Sequence, residues 1–179
     1  LLHDIGKLAV PEHILSKPGP LTPDERKKMQ MHARIGAQIV SAVPFPCPVA
    51  PLVQSHHERW DGTGYPSGLR GKQIPIGARI LWVVDCFDAL TSDRPYRPAI
   101  SQDDAISILE AEAGRAFDPT IVTRFAELLP VLTPPGSDGF LRRLHPSGDP
   151  ASHEFPFDAV RGSGADAFAE IASANRENY

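Results

Sequence analysis

The chain has 179 residues, 41% of them hydrophobic and 22% charged, with a formal charge of −4 at pH 7. That balance is ordinary for a globular domain, so it excludes extended disorder over most of the length and provides no net attraction to long nucleic acid or anionic lipid. Two widely separated cysteines, Cys47 and Cys86, exclude a disulfide scaffold and a thiolate zinc site and suit a reducing cytoplasm, while no apolar run approaches the roughly 20 residues of a membrane span.

Leu1 and Leu2 read as the interior of an apolar helical stretch, neither a capped start nor a secretory signal, so the chain is expected to be a piece of a longer polypeptide. His3 and Asp4 stand at the end of that stretch. Beside them are Gly6, which permits close approach, and Lys7, which can reach an anion. Thr22, Pro23 and Glu25 form a helix start with a capping box, and the helix runs to about residue 41, with Met29, His32 and Gly36 sharing one face. Prolines 44, 46, 48 and 51 follow, and 49–57 reads as a shorter helix that delivers His56 and His57 at its end.

Residues 61–77 carry five glycines and two prolines, the composition of a surface loop. In it Asp61 is placed to cap a turn, and Gly62 and Gly64 are expected at positive φ. The run 78–90 is apolar on nearly all sides, as in a buried helix, and Asp85 interrupts it. Ser101 and the pair Asp118, Pro119 are caps for helices over about 102–113 and 119–129. Period-2 strands are not evident, so the predicted class is all-α, a helical bundle. Residues 1–132 are assigned to the domain. The Gly, Ser and Pro texture of 133–179 reads as a linker or a partial C-terminal segment, with a hint of helix at 165–174.

Chemistry concentrates in a few residue types. His3, His32, His56, His57, Asp4 and Asp85 make a thiolate-free set of four imidazoles and two carboxylates, which suits iron, manganese or similar divalent ions. Six ligands exceed what one open site takes; two ions sharing a carboxylate would use them and could hold a hydroxide while polarising a phosphoryl oxygen. Each residue also has a plainer reading. A single helical His32 is more often packed or solvated than a ligand, whereas Asp85 in an apolar helix would be costly to bury without a partner. Adjacent His56 and His57 would point about 100° apart on a regular helix, so either the helix ends there or they serve different ions. Trp60 could stack on a base or anchor the loop. His13, His145 and His153 are read as surface residues.

Together the segments HDIGK (3–7), HHERWDGTGYP (56–66), IPIGARIL (74–81), VVDCFDALTSDRPYR (83–97) and FDP (117–119) resemble the HD-GYP family of the HD phosphohydrolase superfamily, over about residues 1–130. The resemblance implies an all-helical bundle with two or three divalent ions, iron or manganese, that hydrolyses cyclic di-GMP to pGpG, with GMP as an optional further product. It implies that His3, Asp4, His32, His56, His57 and Asp85 are metal ligands with Asp4 bridging, and that Lys7 touches the scissile phosphate. It further implies that Tyr65, Arg94 and Arg97 hold the substrate. The family also draws a ligand from a helix preceding the HD motif, so a chain starting at Leu1 is expected to bind metal less tightly. The alternatives are an HD phosphohydrolase acting on another cyclic dinucleotide or a nucleotide, and a non-catalytic module that binds cyclic di-GMP or a GGDEF-domain protein.

Overall fold

The computed structural model describes residues 2–93 and 98–132, and every regular element among them is helical. A 3-10 helix, Leu2–Ala9, opens the chain. It is followed by α1 (Glu12–Leu15), α2 (Pro23–Ser41), α3 (Val49–Ser55), a 3-10 turn (Gly71–Gln73), α4 (Ile76–Thr91), α5 (Gln102–Ala111) and α6 (Pro119–Leu132). An isolated bridge between Ala113 and Phe117 closes the turn from α5 to α6. Arg94 and Arg97, and the segment 133–179 with its hint of helix, lie outside the described residues.

The start signals act as the sequence implies. Thr22 Oγ1 accepts from the Glu25 amide while the Glu25 carboxylate accepts from the Thr22 amide, and Pro23 occupies the first turn of α2, where a missing N–H costs nothing. Ser101 caps α5 through the Asp104 amide, and Asp118 accepts from the Thr120 amide at the head of α6. Helix α6 runs past Pro130 to Leu132, farther than predicted, because a proline in the last turn removes only one backbone bond. Helix α5 stops at Ala111, two residues short of the prediction.

Two apolar clusters hold these helices. The larger joins Trp82, Val83, Cys86, Phe87 and Leu90 of α4 to Ala105 and Leu109 of α5 and to Phe117, Val122 and Leu129. The smaller packs Val10, Ile14 and Leu21 on Met29. Between them α2 buries Met29, His32, Ala33, Gly36, Ala37 and Val40, a stripe at helical spacing that faces the 3-10 helix and α3.

Three expectations need correction. The first helical stretch does not end at His3 and Asp4 but continues as a 3-10 helix to Ala9. Helix α4 is not buried on all sides, since Ile76, Ile80 and Val84 form an exposed stripe at i, i+4 and i+8; its packing partners cover the opposite side, where Trp82, Cys86 and Leu90 lie. The glycine loop is shorter than 61–77, because the 3-10 turn and the start of α4 at Ile76 take its second half. Cys86 is in the core and Cys47 is exposed, both unpaired. No described helix is long and apolar enough to cross a membrane.

Candidate metal centre

The site forms where the 3-10 helix lies across α2 and the end of α3. Gly6 makes that crossing possible: a Cβ there would collide with the His32 carbonyl and stand 2.5 Å from the Gly36 amide nitrogen. With no side chain between them, the two backbones touch and His3 and Asp4 are carried to His32. Helix α3 ends at Ser55, and His56 follows as its C-cap at φ −69° and ψ −12°. His56 keeps helical dihedrals, and the two adjacent rings nonetheless lie side by side at the helix end, with centroids 4.0 Å apart and planes at 43°.

One ligand atom each from Asp4, His32, His56 and His57 lies within 4.8 Å of the others. His32 Nε2 is 3.5 Å and His56 Nε2 3.8 Å from Asp4 Oδ1. His3 Nε2 bridges the two carboxylates, 3.2 Å from Asp4 Oδ2 and 3.7 Å from Asp85 Oδ1. Lys7 Nζ donates to Asp4 Oδ2 at 2.9 Å. All six predicted ligand residues and Lys7 therefore come together, from four separate segments of the chain.

The hydrogen bonds around the imidazoles test whether a cation fits. His32 Nδ1 meets the Met29 carbonyl at 2.7 Å and His56 Nδ1 meets the Val53 carbonyl at 2.6 Å. A carbonyl can only accept, so each Nδ1 carries a hydrogen, and a ring in its neutral form presents its lone pair at Nε2. Those two Nε2 atoms stand 3.3 Å apart. Two lone pairs facing each other and a carboxylate repel unless a proton or a metal cation lies between them. Asp4 Oδ1 is buried and accepts no hydrogen bond among the described residues, which leaves the same requirement on the acid side. The donor set fits a divalent ion, and the backbone carbonyls behind the rings orient them as metal-binding imidazoles are usually oriented.

Electrostatics agree. Burial works to raise Asp4, but His3, His56 and the Lys7 ammonium outweigh it and hold the carboxyl well below the usual range, so it is an anion. Burial lowers His32 to about 4 against the opposing hydrogen bond to Met29, and burial with the neighbouring imidazoles lowers His57 as well. Both rings are neutral near pH 7, the form that ligates. Burial raises Asp85, with His3 opposing and the Asp4 charge reinforcing it; a cation shared with His3 would reverse that preference.

The loop after the histidines packs on the centre. Tyr65 lays its ring against His57, centroids 4.9 Å apart and planes at 30°, and its amide donates to the His57 carbonyl at 3.2 Å. Gly62 has φ +81°, as expected, but Gly64 is not at positive φ. It is needed for closeness: a Cβ there would meet the Arg59 amide nitrogen and come within 2.6 Å of Glu58 Cα and the His57 carbonyl. Asp61 Oδ1 accepts from the Thr63 amide and hydroxyl and caps the turn. The backbone of Trp60 ties the loop down, its amide donating to the Ala116 carbonyl and its carbonyl accepting from the Gly71 amide, and the Arg79 guanidinium lies over its ring, 5.8 Å from the centroid. His13 is exposed.

Two neighbours of the centre escape a sequence reading. Glu58 is 2% exposed and accepts amide hydrogens from Ser67 and Leu69. Trp82 presents its ring edge to His57 at 5.5 Å. The signal for Trp82 was its spacing, since it precedes Asp85 by three on α4 and so shares its side of the helix. Glu58 had only its adjacency to the histidine pair.

Comparison with known proteins gives the family. An HD domain family model matches residues 1–121. A cyclic di-GMP phosphodiesterase response regulator of Xanthomonas campestris pv. campestris is 50% identical over 123 residues, 68% of this chain and 32% of the relative. A cyclic di-GMP phosphodiesterase of Thermotoga maritima is 43% identical over 129 residues, 71% of this chain and 35% of the relative. A 3'3'-cGAMP-specific phosphodiesterase of Vibrio cholerae is 43% identical over 133 residues, 74% of this chain and 29% of the relative. The chain thus spans about a third of the length of these curated relatives. The crystal structure of a cyclic GMP-AMP-specific phosphodiesterase of V. cholerae shares the fold, with a TM-score of 0.54 at 22% identity over 97% of this chain and 44% of that one. The family match over residues 1–121, the relatives at 43–50% identity and the shared helical fold point one way: the chain belongs to the HD domain family, in its HD-GYP branch.

Proposed function

We propose that residues 1–132 form a metal-dependent phosphodiesterase domain that opens cyclic di-GMP to pGpG, with GMP as an optional further product. The observation that carries this reading is the convergence of the Nε2 atoms of His32 and His56 on the buried, anionic Asp4, with Lys7 bound to the same carboxylate. His3, Asp4, His32, His56, His57 and Asp85 would hold two or three ions, and a site of imidazoles and carboxylates with no thiolate favours iron or manganese. When bound, such ions supply Lewis acidity toward a phosphoryl oxygen and a nucleophile active at neutral pH.

The chain's own residues do the rest. Asp4 and the imidazoles would hold the cations in place. Lys7 Nζ, 2.9 Å from Asp4, is positioned to meet the charge that gathers on the phosphate oxygens. Tyr65, packed on His57, stands at the rim to hold the dinucleotide, and Arg94 and Arg97 would present two guanidinium forks to its other phosphate or to guanine edges. The curated relatives named for cyclic di-GMP support the substrate class.

A second reading has its own support, since V. cholerae relatives at 40–43% identity are named for 3'3'-cGAMP. Metal analysis and turnover of both dinucleotides by the chain and by Asp4→Ala test these readings together. Metal and turnover should be lost in parallel in the variant; metal loss with hydrolysis retained would sink the mechanism. The faster substrate selects between the two. A non-catalytic module would bind cyclic di-GMP, or a GGDEF-domain protein, with no turnover of either dinucleotide.

A further inference from the structure

A buried carboxylate beside the metal centre has no part in the function proposed above. Glu58 follows the histidine pair directly, is almost fully enclosed, and its amide continues the helix end by donating to the Ser55 carbonyl at 3.0 Å. Its two oxygens are divided: Oε1 accepts from the Ser67 amide at 2.7 Å and Oε2 from the Leu69 amide at 3.0 Å. Both donors lie on the returning limb of the loop, just after Tyr65. On the near limb, Gly64 passes so close to Glu58 and His57 that no Cβ fits. The Tyr65 amide is fastened to the His57 carbonyl between these two contacts.

We infer that Glu58 is a positioning residue: its carboxylate clamps the 67–69 limb of the loop and so sets the Tyr65 ring against His57, at the mouth of the metal centre. The physical case is one of cost and compensation. A carboxylate enclosed to this degree is expensive to desolvate, and its retention is offset by charge-assisted bonds to backbone amides that would themselves lack partners in a loop without regular structure. Two amides two residues apart, held by one rigid carboxylate, fix the direction of the backbone leaving Tyr65. Glutamine is nearly the same size but accepts through one oxygen only, and its NH2 group opposes the second amide. Size and hydrogen bonding can therefore be separated at this position.

The inference rests on the proposed function only for its kinetic consequence, and the experiment keeps the two apart. With the full 179-residue chain, Glu58→Gln should speed hydrogen exchange at the Ser67 and Leu69 amides by roughly ten- to a hundredfold and remove the His57–Tyr65 ring contact, both read by NMR before paramagnetic Mn2+ is added. Bound Mn2+ should be unchanged. KM for the cyclic dinucleotide should rise about tenfold with kcat within about twofold, because Tyr65 would hold substrate and not the reacting atoms. Unchanged exchange, a persisting ring contact, loss of Mn2+, or a fall in kcat at constant KM would each overturn the clamp, since a residue that only filled space would be served by Gln. If the variant does not fold, the unmodified chain decides: both amides must be protected there, and free exchange at either overturns the inference. If the unmodified chain binds Mn2+ yet turns over no cyclic dinucleotide, the functional reading fails, and the exchange and ring-contact measurements still decide the clamp.

Discussion

Gly6 has no side chain to contribute, yet the centre depends on it. The His32 carbonyl and the Gly36 amide occupy the space a methyl group would need, and both are backbone of α2 and cannot rotate away. Gly6→Ala should push the 3-10 helix off α2, destabilise the fold by about 1–3 kcal/mol and weaken Mn2+ binding by about tenfold or more. Calorimetric titration checks this, with Leu8→Ala, at a side chain 81% exposed, leaving binding as it was. Glu25 shows the opposite case, a polar residue whose effect is local. The Lys17 ammonium first, then the Thr22 amide, pull its carboxyl from the usual 4.5 down to about 2. The folded value lies below the unfolded one, so the contribution is complete above about pH 4.5 and is lost as pH falls toward about 2. Denaturation of the chain and of Glu25→Gln should therefore differ at neutral pH and converge on acidification. Molar salt should shrink the difference even at neutral pH, because the pair is partly exposed.

Among the helices, the join between α4 and α6 is electrostatic as well as apolar. Arg79 donates to Asp118 at 2.6 Å and to the Ile74 carbonyl, so the first turn of α4 is tied to the cap of α6. Both side chains are largely enclosed, and removing one leaves the other charge without compensation. Arg79→Met should lower unfolding free energy by roughly 3 kcal/mol, and the double variant with Asp118→Asn should recover part of the loss. Urea denaturation of the four proteins of the cycle measures it; additive losses would show that the two residues act separately. Because α4 also carries Asp85 and Trp82, this join fixes the far side of the metal centre. Indole fluorescence should accordingly change on Mn2+ binding, and Trp82→Phe should abolish most of that response while the more distant Trp60 remains.

Over the molecule as a whole, the centre is where pieces of the chain far apart in sequence meet. Ligation would bind the 3-10 helix, α2, the end of α3 and α4 to one point, so metal should stabilise the fold by mass action, about 2.7 kcal/mol at a hundredfold excess over the dissociation constant. A thermal scan should show the midpoint rising with Mn2+ and falling back with chelator, and Asp4→Asn should respond to neither. Much of this was legible in the residues. The capping box at Thr22, the caps at Ser101 and Asp118, and the helical class follow from local signals that act within a turn or two. The candidate ligand residues were legible too, as candidates, because few residue types bind divalent ions and these stand in distinctive motifs. Convergence was not. Whether His56 and His57 could serve one centre depended on how their rings lie at the end of α3, and whether His3 could reach Asp85 depended on a glycine crossing between two helices. The buried Glu58 and the ring of Trp82 were invisible for the same reason: a side chain's role is set by what packs on it from elsewhere, and one-dimensional spacing records only its near neighbours. The residues thus specify which chemistry is available, while the packing of backbone on backbone selects which atoms meet to perform it.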